Sequence, residues 1–369
     1  MQQDRLDSST KKKWFISMNN IFIIGTRAQL IKVAPVIKEF ENNKLPLSFI
    51  LTGQHNDTMS DLISEFDIKT PANTLIKDKE HSSILALLLW IPIIFLILIR
   101  TLKKYKTSNV FVHGDTLTTL LSTFSAKLCH HKVVHLESGL TSKTIFDPFP
   151  EEIIRRIVFK FTDIACCPSK NDVTNMEKYG HLEIIDTKGN TILDSIQHLN
   201  IGHNIIHEDK SLLISLHRFQ NIYSKDRLNT IKTMLINLSK EYKIYFVLHP
   251  ATLKKLKSYD FLKDLQTVEN IKLLPRMTYK NFLNLALSTS CVITDGGSNQ
   301  EELAFFGHPT IILRETTERT DGLNKNALLI NSTAQIMHFI YTHKYLTLKH
   351  KPESQFISPS KVILKYFKK

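Results

Sequence analysis

The sequence predicts an α/β protein made of two Rossmann-like domains, each with a parallel sheet, facing a central cleft. Short apolar runs alternate with helical stretches from end to end. The runs end in Gly, Asp, Ser or Pro, and polar or ionisable residues gather just beyond them. A chain of 369 residues with 42% hydrophobic composition is long enough to bury two such cores.

The first series of runs is "IFIIG" (21–25), "LSFILTG" (47–53), "NVFVHGD" (109–115), "KVVHLESG" (132–139) and "DIACCPS" (163–169). Each reads as a buried strand, because a strand covered by helices on both faces is apolar throughout and does not alternate. A second series follows: "SLLISLH" (211–217), "KIYFVLHP" (243–250), "IKLLP" (271–275), "CVITDGG" (291–297) and "PTIILRE" (309–315). The expected organisation is an N-terminal extension over 1–20, a first domain over 21–185 and a second over 186–369. The last helix is free to return to the first domain. "HLEIIDTKGNTILDSI" crosses between the halves, and the chain shows no internal repeat and no low-complexity linker.

Composition narrows the function. A formal net charge of +13 suits a polyanionic partner, such as a phosphorylated substrate or an anionic membrane surface. The basic residues are scattered without interleaved aromatics, which argues against nucleic acid. Cys129, Cys166, Cys167 and Cys291 show no CxxC spacing, so neither a zinc site nor a disulfide framework is expected, in keeping with a reducing cytoplasm. The first twenty residues are polar and carry no secretory signal. "ILALLLWIPIIFLILI" (84–99) is uncharged, contains Pro92, and is followed by Arg100, Lys103, Lys104 and Lys106. It is short for a membrane span of ~20 residues. A buried or interface helix is the first reading, and a basic-flanked stretch in peripheral contact with a membrane the second.

In open α/β sheets, ligands bind beyond the carboxyl ends of the strands, so the residues there are the candidates. In "IIGTRAQLIKVAPVI", Gly25 leads a strand into a helix, and Arg27 and Lys32 can reach phosphate oxygens. There is no G-x-G-x-x-G, so a dinucleotide fingerprint is absent. In "VITDGGSNQEELAFF", Gly296, Gly297 and Ser298 precede a helix whose backbone N–H groups can cradle a diphosphate, while a carboxylate in its first turn can accept from ribose hydroxyls. "RETTER" then offers Arg314 and Arg319. The bland alternative is a tight turn with a charged cap.

Asp115, Glu137 and Glu151 come from three separate strand or loop ends, with Arg155 one turn after Glu151. Carboxylates gathered in a cleft can remove or return a proton and can stabilise positive charge at a sugar carbon. "FDPFPEEIIRR" also reads as a capped helix start, with acids in its first turn and an i,i+4 pair. His217 and Arg218 end a strand of the second domain, opposite these acids. A strand-end histidine is more often structural.

Taken in order, "GTRAQLIKVAPVI", "TGQH", "VHGDTLTT", "HLESGL", "PFPEEIIRR", "GNTILDSI", "LHR", "TDGGSNQEE" and "TTER" resemble the non-hydrolysing UDP-N-acetylglucosamine 2-epimerases. The resemblance runs from about Ile21 to Leu323. It implies a GT-B-like fold, a homodimer, and interconversion of UDP-N-acetylglucosamine and UDP-N-acetylmannosamine for surface polysaccharides. The implied reaction is anti elimination of UDP followed by re-addition, with no metal and no cofactor. Asp115, Glu137 and Glu151 match the family's catalytic acids, and Arg155 and His217 match residues that assist the departing diphosphate. Arg27, Lys32, Arg276, Phe282, Gly296, Gly297, Ser298, Glu302 and Arg319 fall at or beside substrate contacts, with Phe282 placed to pack on uracil. Gln54 and His55 match a regulatory second-substrate region.

The chain departs from the family's pattern at several positions. Ala28-Gln29 stands for the usual Pro-Glu, Thr141 for an arginine, "HRFQ" for "HRRE" and "DGGS" for "DSGG". These changes keep open an epimerase of a related acetamido or diacetamido UDP-sugar, and the implied chemistry also admits a hydrolysing 2-epimerase. The apolar run and the +13 charge admit a membrane-associated GT-B glycosyltransferase.

Overall fold

A computed structural model describes residues 19–53, 59–76, 84–142, 149–317, 319–350 and 357–368, with the backbone alone for 84–89. Gln54 and His55 lie outside the described residues.

Among the described residues thirteen strands form two sheets in which every pairing is parallel. The first contains β1 (Asn20–Ile24), β2 (Leu47–Leu51), β3 (Ala72–Thr74), β4 (Asn109–His113), β5 (Lys132–Leu136), β6 (Ile164–Cys167) and β7 (Glu183–Asp186). The second contains β8 (Ser211–Ser215), β9 (Lys243–Val247), β10 (Ile271–Leu274), β11 (Cys291–Thr294), β12 (Thr310–Ile312) and β13 (Ala327–Leu329). The orders are β3-β2-β1-β4-β5-β6-β7 and β10-β9-β8-β11-β12-β13, both doubly wound.

All ten strands expected from apolar runs are present. β1, β4 and β11 are buried at every position, as helices on both faces require. The polar residues that closed the runs fall just outside the strands, in the turns that follow. Three strands went unread: β3 (ANT), β7 (EIID) and β13 (ALL). They are sheet edges, too short and too exposed to carry an apolar run.

The order reverses between β1 and β4 in one sheet and between β8 and β11 in the other. At such switch points neighbouring helices diverge to opposite faces and leave a crevice at the strand ends. The ends concerned carry Gly25, Gly114-Asp115, His217-Arg218 and Gly296-Gly297. One continuous core joins Phe22, Phe40 and Phe111 of the first sheet unit to Leu213, Leu283 and Leu303 of the second. The last helix, Pro359–Phe367, lies against Arg27–Asn42; Ser360 N donates to Asp194 at 2.7 Å and Phe367 packs 5.0 Å from Phe111.

The apolar run forms helix Ile84–Leu102. Trp90, Ile94, Leu98 and Leu102, spaced by four, are buried against Ile21, Ile23, Val110 and Val112. Ile93 and Leu96 on the other face are each 53% exposed. Among the described residues no helix is long and apolar enough to cross a membrane.

This stripe sets a stability test. Leu98→Ala should cost about 2–5 kcal/mol, because it opens a cavity under a sheet. Leu98→Met should cost less than about 1.5 kcal/mol in the same chemical denaturation series. Equal, small losses for both would show that the helix does not seat on the sheet as described.

Candidate active site

The two switch points face each other across a cavity of about 950 Å³. Asp115, Glu137, Glu151, Arg155, His217, Gly297, Ser298 and Arg319 all line it. Phe149 and Phe219, 66% and 67% exposed, also line it. The sequence reading did not single them out, because it sought polar groups.

"PFPEEIIRR" separates its charges by burial. Helix Glu151–Phe161 turns Glu151 toward the cavity and Glu152 into the fold. Fully buried Glu152 accepts from Thr141 Oγ1 at 2.5 Å, Ser142 N at 3.0 Å, Arg155 Nη1 at 2.7 Å and Arg156 Nε at 2.7 Å. Burial alone would raise its pKa, but these donors bring it below the usual carboxylate value. Arg155, held in this way, extends Nη2 to Asp115 Oδ2. Thr141, where the family pattern has arginine, thus serves the acid that aligns Arg155. Oε2 of Glu151 is buried and accepts no hydrogen bond.

Glu137 sits directly after β5 with φ of 58°, a left-handed conformation that L-residues other than Gly, Asn and Asp seldom adopt. Its Oε1 accepts from Lys32 Nζ at 2.5 Å, Asn190 Nδ2 at 2.6 Å and Arg319 Nη2 at 3.0 Å. Lys32 and Arg319 also reach Glu301 Oε2, at 3.1 and 2.8 Å. Burial raises the Glu137 pKa, but Lys32 and then Arg319 hold it well below the usual range. Lys32 therefore stands between carboxylates from the two sheet units. Asn190 and Glu301 lie within "GNTILDSI" and "TDGGSNQEE" but were given no role, since neither motif shows by itself that its side chain reaches the Glu137 cluster.

On the second sheet unit, fully buried Asp295 accepts from His217 N at 3.0 Å, Arg218 N at 3.0 Å and Asn221 Nδ2 at 3.0 Å. The His217 ring places Nδ1 3.3 Å from Asp295 Oδ1 and turns toward the cavity. Burial lowers its pKa, against the pull of Asp295. Arg276 is close enough for its charge to act on the same ring.

Gly296 caps helix Gly297–Phe306, so its free backbone N–H groups lie at the cavity edge. Glu302 falls in the second turn and is buried, accepting from Asn299 Nδ2 at 3.1 Å. Burial raises its pKa to about 7. Arg27 pairs with Asp61 at 2.5 Å, and Phe282 packs, half-buried, against the core.

Gln29 is 2% exposed and binds the first sheet's two switch-point turns together. Its Oε1 accepts from Gly25 N at 2.9 Å and Thr26 N at 3.1 Å, while Nε2 donates to the His113 carbonyl at 2.7 Å. A glutamate could accept the first two bonds but could not donate the third. Gly25 is needed beside it, because a Cβ there would lie 2.0 Å from Thr118 Oγ1. Among the described residues no cluster of three or more His, Cys, Asp or Glu side chains is arranged to hold a metal ion.

Fold and site together define a GT-B-like protein with a carboxylate-lined cleft beside a phosphate-type cradle. The family profile described as UDP-N-acetylglucosamine 2-epimerase matches residues 38–355. The UDP-N-acetylglucosamine 2-epimerase of Methanococcus maripaludis is 33% identical over 326 residues, covering 84% of this chain and 86% of that protein. That of Campylobacter jejuni is 30% identical over 327 residues, 82% and 83% of the two chains. The crystal structure of the Neisseria meningitidis UDP-GlcNAc 2-epimerase bound to UDP-GlcNAc superposes with a TM-score of 0.80 at 26% identity, covering 95% of this chain and 99% of that one. The chain belongs to the UDP-N-acetylglucosamine 2-epimerase family.

Glu302 gives this site a pH signature. A buried carboxyl whose pKa rises from 4.5 to about 7 on folding contributes stability that is complete below pH 4.5 and lost as pH rises through 7. Glu302→Gln should therefore match wild type at pH 4.5 and exceed it at pH 8, by up to about 3 kcal/mol. Thermal unfolding at the two pH values reads the difference, and a gap independent of pH would contradict the burial described.

Proposed function

We propose that the chain is a non-hydrolysing UDP-N-acetylglucosamine 2-epimerase, interconverting the gluco and manno epimers by loss and re-addition of UDP. The observation that carries this is the meeting of Asp115, Glu137 and Glu151 in one cavity with His217, Arg319 and the helix start at Gly297-Ser298. The relatives' activities, and the substrate held by the Neisseria enzyme, agree with it.

Chemistry sets the order of events. The C2 hydrogen is not acidic, because no carbonyl adjoins that carbon. The C1–O bond must therefore break ahead of, or together with, proton removal. The electron pair leaves with UDP toward Arg319, the helix start and His217, while the nearby carboxylates stabilise the cationic sugar. Loss of the C2 proton gives a glycal-like intermediate. Re-addition of UDP at C1 with protonation of the opposite face of C2 inverts that centre.

Inversion requires one proton-handling group on each face of C2. Of the three cleft acids, Glu151 leaves a buried Oε2 without a hydrogen bond and Glu137 takes its hydrogen bonds from the described residues on Oε1, whereas Asp115 is engaged by Arg155. We assign proton removal and return to Glu137 and Glu151, and charge stabilisation and Arg155 alignment to Asp115. No metal or redox cofactor enters the scheme, because the leaving group and the returning nucleophile are the same UDP.

We also propose a homodimer formed through the first sheet unit. Ile93, Leu96, Leu128 and Phe161 are exposed on three neighbouring helices, Ile84–Leu102, Leu117–Leu128 and Glu151–Phe161. Exposed apolar side chains on adjoining helices suit a second copy of the chain. Light scattering should give a dimer for wild type and a monomer for Ile93→Asp/Leu96→Asp. A monomeric wild type would remove this proposal.

NMR of the protein with UDP-N-acetylglucosamine in deuterated water should show the manno epimer with deuterium at C2. Free amino sugar accumulating would identify a hydrolysing enzyme, and an intact C2–H bond would identify glycosyl transfer. Glu151→Gln should retain the fold and lose at least ~100-fold in turnover, the scale of a general acid-base group. Wild-type turnover in that variant would refute its role.

A further inference from the structure

His113, the last residue of β4, takes no part in the scheme above, yet its ring is aimed at the reacting acid. It is 4% exposed, and its Nε2 lies 3.6 Å from Glu137 Oε2 with no hydrogen-bond partner. Buried nitrogens are nearly always paired, so an orphan beside a functional carboxylate calls for an explanation.

The two oxygens of Glu137 have different surroundings. Oε1 is saturated by Lys32, Asn190 and Arg319, while Oε2 accepts no hydrogen bond among the described residues and lies beside the His113 ring and the Gly114 turn, where a Cβ would sit 3.6 Å away. A proton arriving from C2 must therefore settle on Oε2. We propose that His113 is a positioning residue for this proton: its neutral ring accepts the hydrogen bond that newly protonated Oε2 can donate. The inference rests on the proposed function, and no bond is made or broken on the histidine itself.

The ring suits this role. Burial, with Lys32, His135 and Arg319 nearby, lowers its pKa to about 3 against the pull of Glu137, so it stays neutral at working pH. A cation there would bind the carboxylate and oppose proton uptake, whereas a neutral acceptor favours the acid form only after transfer. The other charged or titratable groups around Glu137 are Lys32 from helix Arg27–Asn42, His135 from β5, Asp172 from helix Lys170–Glu177, Glu301 and Arg319 from the second sheet unit, and Arg155. Lys32 and Arg319 act on Oε1 and are untouched by a change at 113. The backbone is held independently, because the His113 carbonyl accepts from Gln29 and Thr119 whatever the side chain.

The test compares His113→Met and His113→Asn, which remove the acceptor or withdraw it from reach, with His113→Gln, whose amide oxygen can replace it. Loss of one buried hydrogen bond in the protonated state should lower kcat about tenfold in the Met and Asn variants, with KM within about twofold. The acid limb of the kcat profile should move to lower pH, because Glu137 becomes harder to protonate. Gln should restore kcat to within about threefold of wild type. A purely structural role would instead lower the unfolding temperature and raise KM without moving the acid limb. The proposal is overturned by Met and Asn variants with wild-type kcat, by an unmoved acid limb, or by Gln behaving as Met does. An inactive wild type would overturn the function and this inference together. An active wild type with indifferent variants would overturn this inference alone.

Discussion

The cleft depends on four buried charges. Lys32 and Glu137 come from the first sheet unit, Glu301 and Arg319 from the second, and each cation touches both carboxylates at 2.5–3.1 Å. Their side chains are 4%, 9%, 5% and 12% exposed, so none is solvated enough to stand alone. A buried ion pair need not add net stability, because desolvation offsets its attraction. What this quartet adds is placement. Two of its four contacts cross between the sheet units, so the Glu137 carboxylate and the Arg319 cation beside the cradle are held at a set spacing. Deleting any member would leave an uncompensated buried charge and loosen that spacing.

The same physics explains why neighbouring acids do different work. Glu151 and Glu152 are adjacent, yet one opens onto the cavity while the other is sealed under four donors. Glu301 and Glu302 are adjacent, yet one joins the quartet while the other sits among Asn299 and Tyr279 with its pKa near 7. Successive residues on a helix point about 100° apart, so one of a pair can serve the cleft only if its partner is satisfied inside.

Much of this was legible in the sequence. Ten apolar runs ending in turn residues specified the strands, because a strand covered on both faces has no alternation to hide it. The end residues of those runs identified both crevices. Other features had no local signal. Edge strands such as "ANT" carry too little apolar character, and helix Ile84–Leu102 is apolar on the face that lies exposed as well as on the face that is buried. Asn190, Glu301 and His113 act on Glu137 from 53, 164 and 24 residues away, distances over which a single sequence shows no pairing. Gln29 looked like a departure within the sugar site; its hydrogen bonds show a brace between turns instead.

The backbone of Glu137 brings these strands of reasoning to one residue. It holds a left-handed φ directly after β5, a conformation costing of order 1 kcal/mol or more for a residue with a side chain. An ordinary extended conformation would carry the chain along the strand direction and away from Lys32, Arg319 and Asn190. Three donors on one oxygen are therefore what holds the strained turn, and the turn is what presents the other oxygen to the cavity. Strain, charge compensation and the asymmetry of the two carboxylate oxygens are one arrangement, with Oε1 held by three donors and Oε2 left toward the cavity.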